Sequence, residues 1–301
     1  MDTDYEMSAA VEGTHRLRDG RLLAYAEFGD PRGRPVFYFH GLPGSRLEGR
    51  LLDRAARQAN LRIIAPDRPG FGRSDYKRDR TIADWPGDIA ELADSLGLDT
   101  FAVVGNSGGG PYAAACARYL GPRLTGTTLV CGLGPIAAAG DLAGMGPWIR
   151  FVFNLARRPR LPLSPLVALI AFCLRHFPEQ ALTFMALKAS AADREVLRQS
   201  RTRQVLKDSF REAVRQGWRG GLLELRLFSR PWGFRLEEIS SEVRLWFGGR
   251  DRTVPPRMGE AQAAALSNCR RRYYPEEGHF SLPVRHMEEI LAEIRQDRNA
   301  I

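Results

Sequence analysis

The chain has 301 residues, of which 44% are hydrophobic and 26% are charged, and its formal net charge at pH 7 is +9. This length allows one large domain or a core with an insertion, and the composition is typical of a globular protein. The most apolar stretch, residues 161–174, contains two prolines and is too short to span a bilayer. We therefore expect no stable membrane insertion, while a contact of this stretch with a membrane surface stays open.

The basic residues are mostly arginines, and in the middle of the chain they alternate with acidic residues as on a solvated helix face. Aromatic residues do not alternate with them and no nucleic-acid-binding module is recognisable, so we expect no nucleic-acid partner. The acidic, polar residues 1–12 do not resemble a secretory signal. We predict a cytoplasmic monomer or homodimer. Four widely spaced cysteines predict free thiols rather than a metal site or disulfides: Cys116, Cys131, Cys173 and Cys269.

The first part of the chain alternates short apolar runs with amphipathic segments. Strands are predicted at 22–28, 36–39, 61–65, 101–104 and 124–131, and helices at 46–58, 88–96 and 111–119. After residue 240 the pattern returns, with strands at 243–247 and 271–274 and helices at 256–266 and 284–295. Strands that alternate with helices in this way predict parallel pairing in an α/β sheet.

Between residues 135 and 235 the alternation stops, and the sequence predicts arginine-rich helices broken by prolines. We therefore predict an α/β core made of residues 1–134 and 236–301, with a helical cap inserted at 135–235. Aromatic residues of this insertion either line an apolar substrate cavity or form the insertion's own core. The candidates for substrate binding are Trp148, Phe151, Phe172 and Phe177, and Phe153 has the same two interpretations.

The segment 101–110 predicts a buried strand that enters a Gly-x-Ser-x-Gly turn and is followed by an alanine-rich helix. This is the context of a nucleophile elbow, in which a serine stands on a strained turn above the sheet. Gly105 and Gly109 are expected to be required, because a Cβ at either position would crowd the turn. Ser107 is therefore the candidate nucleophile.

A serine hydroxyl becomes a good nucleophile when a base removes its proton and an acid orients the base. Of the three histidines after Ser107, His176 lies in the insertion and His286 inside the last predicted helix. His279 lies in a loop between a strand and that helix and is the candidate base. Asp251 directly follows another strand and is the candidate acid, because catalytic loops cluster at the C-terminal edge of such a sheet.

The negative charge that develops on a substrate oxygen requires two preorganised N–H donors. Gly108, the residue after the nucleophile, is predicted to provide one of them. The loop that follows the strand at 36–39 is predicted to provide the other, from Leu42, because Pro43 has no N–H. His40 is expected to hold this loop in place.

These motifs together resemble the α/β-hydrolase superfamily, in its capped serine hydrolase or esterase branch. The resemblance rests on five segments in the family's order and covers nearly the whole chain outside the insertion: 40–44, 67–74, the turn at Ser107, 249–251 and 278–280. It implies a mostly parallel central sheet flanked by helices, with a Ser-His-Asp triad and no metal or organic cofactor. The predicted function is hydrolysis of a small-molecule carboxylic ester with a small to medium apolar acyl or alcohol group.

Several alternatives stay open within the resemblance. Hydrolases that cleave carbon–carbon bonds of ring-fission products often share Asn106, but they usually carry a tryptophan soon after the histidine, which residues 280–283 lack. A ligand-binding protein without catalytic activity and a lipase-like enzyme at a membrane surface are two further possibilities.

Other branches of the family fit the sequence less well. Haloalkane dehalogenases and epoxide hydrolases have an aspartate where Ser107 stands. Proline iminopeptidases typically have a glycine where Leu42 stands, and they need an acidic clamp for the substrate amine. No residue is singled out as that clamp among the acidic residues of the insertion: Glu179, Glu195, Glu212 and Glu224.

Overall fold

The computed structural model describes residues 10–137, 140–158 and 162–296. Residues 1–9 of the polar N-terminal segment, 138–139 and 159–161 of the insertion, and 297–301 lie outside the described residues. Within the described part of the chain, eight strands form one sheet in the order β1-β2-β4-β3-β5-β6-β7-β8. They are β1 (Val11–Arg16), β2 (Leu22–Gly29), β3 (Arg34–Phe39), β4 (Leu61–Pro66), β5 (Phe101–Asn106), β6 (Leu124–Val130), β7 (Val243–Gly248) and β8 (Cys269–Tyr274).

The strands from β4 to β8 in this order run parallel, as predicted, whereas β2 pairs antiparallel with both β1 and β4. The sheet is therefore mostly parallel, as the resemblance implies, and the pairs β1–β2 and β2–β4 are its antiparallel part. A short turn joins β1 to β2, which an antiparallel pair permits without a crossover helix. Strand β1 is missing from the sequence prediction because its segment, Val-Glu-Gly-Thr-His-Arg, is polar and largely exposed at the sheet edge.

The helices outside the insertion pack on the two faces of the sheet. They are α1 (Asp53–Gln58), α2 (Trp85–Ser95), α3 (Gly110–Tyr119), α10 (Pro256–Ala265), α11 (Ser281–Arg285) and α12 (Met287–Arg295). The segment predicted as one helix at 46–58 begins instead as a 3-10 helix over Arg46–Leu52, with Gly49, a weak helix former, at its centre. The predicted last helix is two helices, because the backbone leaves the helical region at His286, with ψ of 12°.

Six helices lie between β6 and β7, and no strand occurs among the described residues of this segment. We call them the inserted helices: α4 (Pro147–Ala156), α5 (Ser164–His176), α6 (Pro178–Lys188), α7 (Ala191–Val196), α8 (Ser200–Ala213) and α9 (Arg219–Phe228). Helices α5, α6 and α8 share an apolar cluster that includes Leu174, Leu182 and Phe210. No described helix is long and apolar enough to cross a membrane.

Both faces of the sheet are buried, as the continuous apolar sequences of its central strands require. In β3, Phe37 and Phe39 face the cluster that contains α2, α3 and α10, while Val36 and Tyr38 face the cluster that contains α1 and α12. Because the strands from β4 to β8 run parallel, their C-terminal ends lie along one edge of the sheet. The loops that follow β3, β5, β7 and β8 meet at this edge.

Candidate active site

Ser107 stands at the turn from β5 into α3, with a φ of +51° that side-chain-bearing residues rarely adopt. A Cβ on Gly109 would lie 2.1 Å from the carbonyl oxygen of Phe39, and a Cβ on Gly105 would lie 2.5 Å from the carbonyl oxygen of Gly109. Neither distance leaves room for a side chain. The two glycines therefore allow the tight turn that holds Ser107 above the end of β5.

The structure brings Ser107, His279 and Asp251 together. Nε2 of His279 lies 2.9 Å from Oγ of Ser107, and Nδ1 lies 2.7 Å from Oδ2 of Asp251. The second oxygen of Asp251 accepts hydrogen bonds from the N–H groups of Thr253 and Val254, at 2.7 and 2.8 Å. The carboxylate is thus fixed by the start of the loop after β7. All three predicted triad residues are buried.

His279 carries the proton on Nδ1, because a carboxylate accepts hydrogen bonds and does not donate them. Nε2 is then free to accept the proton of Ser107. The pKa of His279 lies above its ordinary value: burial lowers it, but the negative charges of Asp251, Asp193 and Glu48 outweigh burial. These carboxylates therefore stabilise the imidazolium that forms when His279 takes up a proton.

Asp193, on the inserted helix α7, is a buried carboxylate that is not among the predicted site residues. Its Oδ1 accepts hydrogen bonds from the N–H groups of Phe280 and Ser281, both at 2.8 Å, and its Oδ2 accepts one from the N–H of His279 at 3.1 Å. A Cβ on Gly278 would lie 2.3 Å from the same Oδ2. The loop that carries His279 is therefore tied to an inserted helix.

The two predicted oxyanion donors, Leu42 and Gly108, lie side by side. A Cβ on Gly108 would be 3.1 Å from Cβ of Leu42 and 3.3 Å from its backbone nitrogen. A Cβ on the neighbouring Gly41 would be 3.5 Å from Cβ of Ser107. Among the hydrogen bonds of residues 10–137, 140–158 and 162–296, none is donated by the N–H of Leu42.

Glu48 supports the loop that contains Leu42 and is also missing from the sequence prediction. Its buried carboxylate accepts hydrogen bonds from the hydroxyl of Tyr38 at 2.6 Å, the N–H of Gly41 at 3.2 Å and the amide of Asn106 at 2.9 Å. Asn106 precedes the nucleophile, so one carboxylate joins the loop after β3 to the elbow.

Arg68 fixes the same loop from the other side. Its guanidinium donates to the carbonyl oxygens of His40 at 2.5 Å and Gly41 at 3.1 Å, and its Nε binds Glu224 of the inserted helix α9 at 2.5 Å. Glu224 also binds Arg80. Burial raises the pKa of Glu224, but the charges of the two arginines outweigh burial, and the net pKa is lowered.

His40 contacts the loop after β3, which it was expected to hold in place. Its Nδ1 is 2.9 Å from the carbonyl oxygen of Gly41, and its Nε2 accepts a hydrogen bond from the N–H of Arg68 at 3.4 Å. Burial and the charge of Arg68 set the pKa of His40 well below its ordinary value, so the ring stays neutral.

A cavity of about 1680 Å³ opens above Ser107 and His279, and apolar side chains of the inserted helices form most of its wall. Trp148, Phe151 and Phe177 line it, which is one of the two interpretations given for them above. Lining residues missing from the prediction include Leu169, Phe184, Leu187, Phe210, Trp218 and Phe228.

One of the predicted aromatic residues, Phe172, does not line the cavity. Phe172 is exposed, and its ring packs against His176 and Phe177. Its position on α5 explains this. Ala171 and Cys173 line the cavity, whereas Phe172 lies on the solvent-facing side of the helix. Phe153 lines the cavity and also belongs to the main buried cluster, so both of its interpretations apply.

Within the described residues, one group of side chains combines metal-ligand types within 4.8 Å: Cys131, Asp251 and His279. Two of these side chains already bind each other through a hydrogen bond. Burial and the charge of Asp251 raise the pKa of the Cys131 thiol well above its ordinary value. The thiol therefore stays protonated and is a poor metal ligand. Cys116 is also buried, whereas Cys173 and Cys269 are partly exposed, and all four cysteines are free.

The sheet order, the elbow and the loops at one sheet edge define an α/β protein of the hydrolase type. The model of the alpha/beta hydrolase family matches residues 36–293. The chain belongs to this family, and the predicted fold class is confirmed.

Known proteins similar to this chain have several activities. A proline iminopeptidase from Xanthomonas citri is 33% identical over 128 residues, which are 42% of this chain and 40% of that protein. A bifunctional esterase/perhydrolase from Acinetobacter calcoaceticus is 32% identical over 122 residues, which are 40% of this chain and 44% of that protein. The chain therefore spans less than half the length of these two curated relatives.

Among solved structures, a bromoperoxidase from Bacillus anthracis superimposes with a TM-score of 0.70 and 20% sequence identity. The superposition covers 96% of this chain and all of that one. This similarity extends over both the sheet and the inserted helices, and it concerns the fold.

Proposed function

We propose that this protein is a serine hydrolase that cleaves carboxylic esters with an apolar acyl or alcohol group. The observation that carries the proposal is the unbroken chain of hydrogen bonds from Ser107 through His279 to Asp251, with distances of 2.9 and 2.7 Å. An activated serine at the end of an apolar cavity suits acyl transfer. The esterase/perhydrolase relative supports an ester as the substrate class.

The geometry suggests the following reaction. Oγ of Ser107 attacks the ester carbonyl carbon while Nε2 of His279 takes up the hydroxyl proton, and Asp251 stabilises the resulting imidazolium. The N–H groups of Leu42 and Gly108 donate to the oxyanion of the tetrahedral intermediate. The bond between the carbonyl carbon and the alcohol oxygen then breaks, His279 protonates the leaving alcohol, and the acyl group remains on Ser107 as an ester. Water releases the acid from Ser107 by the same steps.

The inserted helices would act as the cap, residues 135–235, that covers the site and selects the substrate. Their cavity of about 1680 Å³ exceeds the range of about 300–1,000 Å³ common for small-molecule sites. This volume supports a bulkier apolar substrate than the small to medium group expected from the sequence. Trp148, Phe151 and Phe177 would contact its hydrocarbon part.

An iminopeptidase activity is less well supported, although one relative is a proline iminopeptidase. A free carboxylate would have to hold the substrate amine in such an enzyme. Each of the four acidic residues considered for this role forms an ion pair: Glu179 with Arg203, Glu195 with Arg285, Glu212 with Arg46 and Glu224 with Arg68. These pairings favour a neutral substrate.

The test is hydrolysis of p-nitrophenyl esters of increasing acyl length by the wild-type protein, Ser107→Ala and the control Ser95→Ala. Ser95 is the last residue of α2, and its hydroxyl donates to the carbonyl oxygen of Leu92. We expect Ser95→Ala to retain activity and Ser107→Ala to lose it by about 10⁴-fold or more. A fluorophosphonate probe should label the wild-type protein and not Ser107→Ala.

Folded protein that neither hydrolyses any ester nor reacts with the probe would overturn the proposal. A ligand-binding role would then be favoured. Labelling without ester turnover would point instead to a narrow substrate class such as ring-fission products.

A further inference from the structure

The exposed apolar side chains of this protein are concentrated on one part of its surface. Eleven large apolar side chains are exposed among the described residues, and seven of them lie between positions 148 and 187. The other four are scattered over the rest of the chain. We call the seven the apolar rim: Trp148, Phe151, Leu169, Phe172, Phe177, Phe184 and Leu187.

The rim surrounds the mouth of the cavity that leads to Ser107. Every rim residue except Phe172 also lines that cavity, and the exposed fractions of the seven run from 46% at Trp148 to 70% at Leu187. Side chains that face both a cavity and solvent form its entrance. Exposed apolar side chains grouped at one place on a protein mark a site of interaction.

The described residues around the rim are mostly basic. Those among 147–188 include five basic residues and one acidic residue, and one of the five, Arg157, is paired with Asp141. The one acidic residue, Glu179, is already paired with Arg203 and Lys207. Arg150, Arg175 and Lys188 are exposed on the rim helices.

Basic and apolar groups are interleaved rather than separated on this surface. Nζ of Lys188 lies 5.8 Å from the centre of the Phe184 ring. Apolar side chains at the centre with lysine and arginine beside them are the pattern by which helices lie on anionic lipid surfaces. A second copy of the chain would present the same positive charge and be repelled.

We propose that the apolar rim docks on the surface of an anionic phospholipid membrane, with the mouth of the cavity toward the lipid. Docking is peripheral, since no described helix is long and apolar enough to cross the bilayer. An apolar ester dissolved in the lipid would then enter the cavity without passing through water. This last step rests on the proposed function, whereas the docking itself does not.

The test measures flotation of the protein with vesicles of phosphatidylcholine alone and of phosphatidylcholine mixed with phosphatidylglycerol. The protein used is the Ser107→Ala variant, so that binding is measured without turnover. We expect binding to the mixed vesicles that weakens as ionic strength rises. Adding Phe172→Asp, or Arg150→Glu together with Arg175→Glu, should lower the partition coefficient at least about tenfold.

Matched control variants carry the same charge changes elsewhere on the surface. Tyr119→Asp replaces an exposed aromatic residue at the end of α3. Arg32→Glu with Arg270→Glu reverses two exposed arginines at the sheet edge opposite Ser107. Both controls should bind vesicles like the parent protein, apart from the small effect of net charge, and circular dichroism should show that all variants are folded.

Equal binding to both vesicle types, no binding to either, or equal losses in rim and control variants would overturn the docking proposal. A dimer in sedimentation equilibrium that Phe172→Asp dissociates would overturn it in favour of a second copy as the partner. Vesicle binding by Ser107→Ala, combined with no ester turnover by the wild-type protein, would remove the proposed function and leave docking intact. Ester turnover by the wild-type protein without vesicle binding would overturn docking and leave the proposed function intact.

Discussion

Replacement of Asp193 by asparagine should weaken both the stability of the protein and the positioning of its candidate base. The carboxylate accepts three backbone hydrogen bonds, at 2.8, 2.8 and 3.1 Å. An asparagine oxygen can keep the two from Phe280 and Ser281 as neutral bonds, but its NH₂ group then faces the N–H of His279. One unsatisfied buried donor and two weakened bonds should lower the free energy of unfolding by about 2–4 kcal/mol.

The kinetic consequence follows from the position of His279. A displacement of a catalytic group by about 1 Å can cost about 10²-fold in rate, so we expect kcat/KM for p-nitrophenyl esters to fall about 10–100-fold, mainly through kcat. The base accepts a proton only when neutral, so activity falls as pH decreases through the pKa of His279. Asp193 contributes to raising that pKa. Its removal should therefore shift the acid limb of the pH profile to lower pH.

Two further variants separate charge from position. Glu195→Gln changes an exposed carboxylate of the same helix, paired with Arg285 at 2.7 Å, and should alter stability by less than about 0.5 kcal/mol without moving the acid limb. Gly278→Ala pushes a methyl group against Asp193 and should lower kcat while the charge remains. If Asp193→Asn lost stability but kept both kcat/KM and the acid limb of the wild type, the positioning role would be refuted.

Two other predictions concern the candidate triad and the buried ion pairs. Asp251→Asn should lower kcat for p-nitrophenyl esters by about 10⁴-fold with little change in KM, because His279 loses the acceptor that fixes its tautomer; a loss below tenfold in steady-state kinetics would contradict the assignment. Glu224→Gln leaves Arg68 and Arg80 buried without their counter-charge and should lower the free energy of unfolding in urea by about 3–5 kcal/mol. A change below 1 kcal/mol would show that these arginines find other partners.

The sequence alone was sufficient to predict the family, the parallel strands of the sheet and the elbow, since an apolar strand and a Gly-x-Ser-x-Gly turn are each recognisable from residues that are neighbours in the chain. The demand for glycine at positions 105 and 109 comes from contacts with the adjacent turn and strand. His279 and Asp251 could be chosen because each directly follows a predicted strand, and parallel strands end at one edge of the sheet. In the structure His279 lies within hydrogen-bond distance of both Ser107 and Asp251.

Only the tertiary structure decided which side chains of the insertion meet the core. Asp193 lies 86 positions from His279 in the chain, and Glu224 lies 156 positions from Arg68. The pattern Ser190-x-x-Asp193 indicates a helix N-terminus, but it contains no information on the loop that the carboxylate contacts. The position of Phe172 could not be predicted for the same reason, since the packing of α5 decides which of its side chains face the cavity. Local periodicity defines the faces of a helix, whereas the partner of each face is set by packing between segments that are distant in the chain.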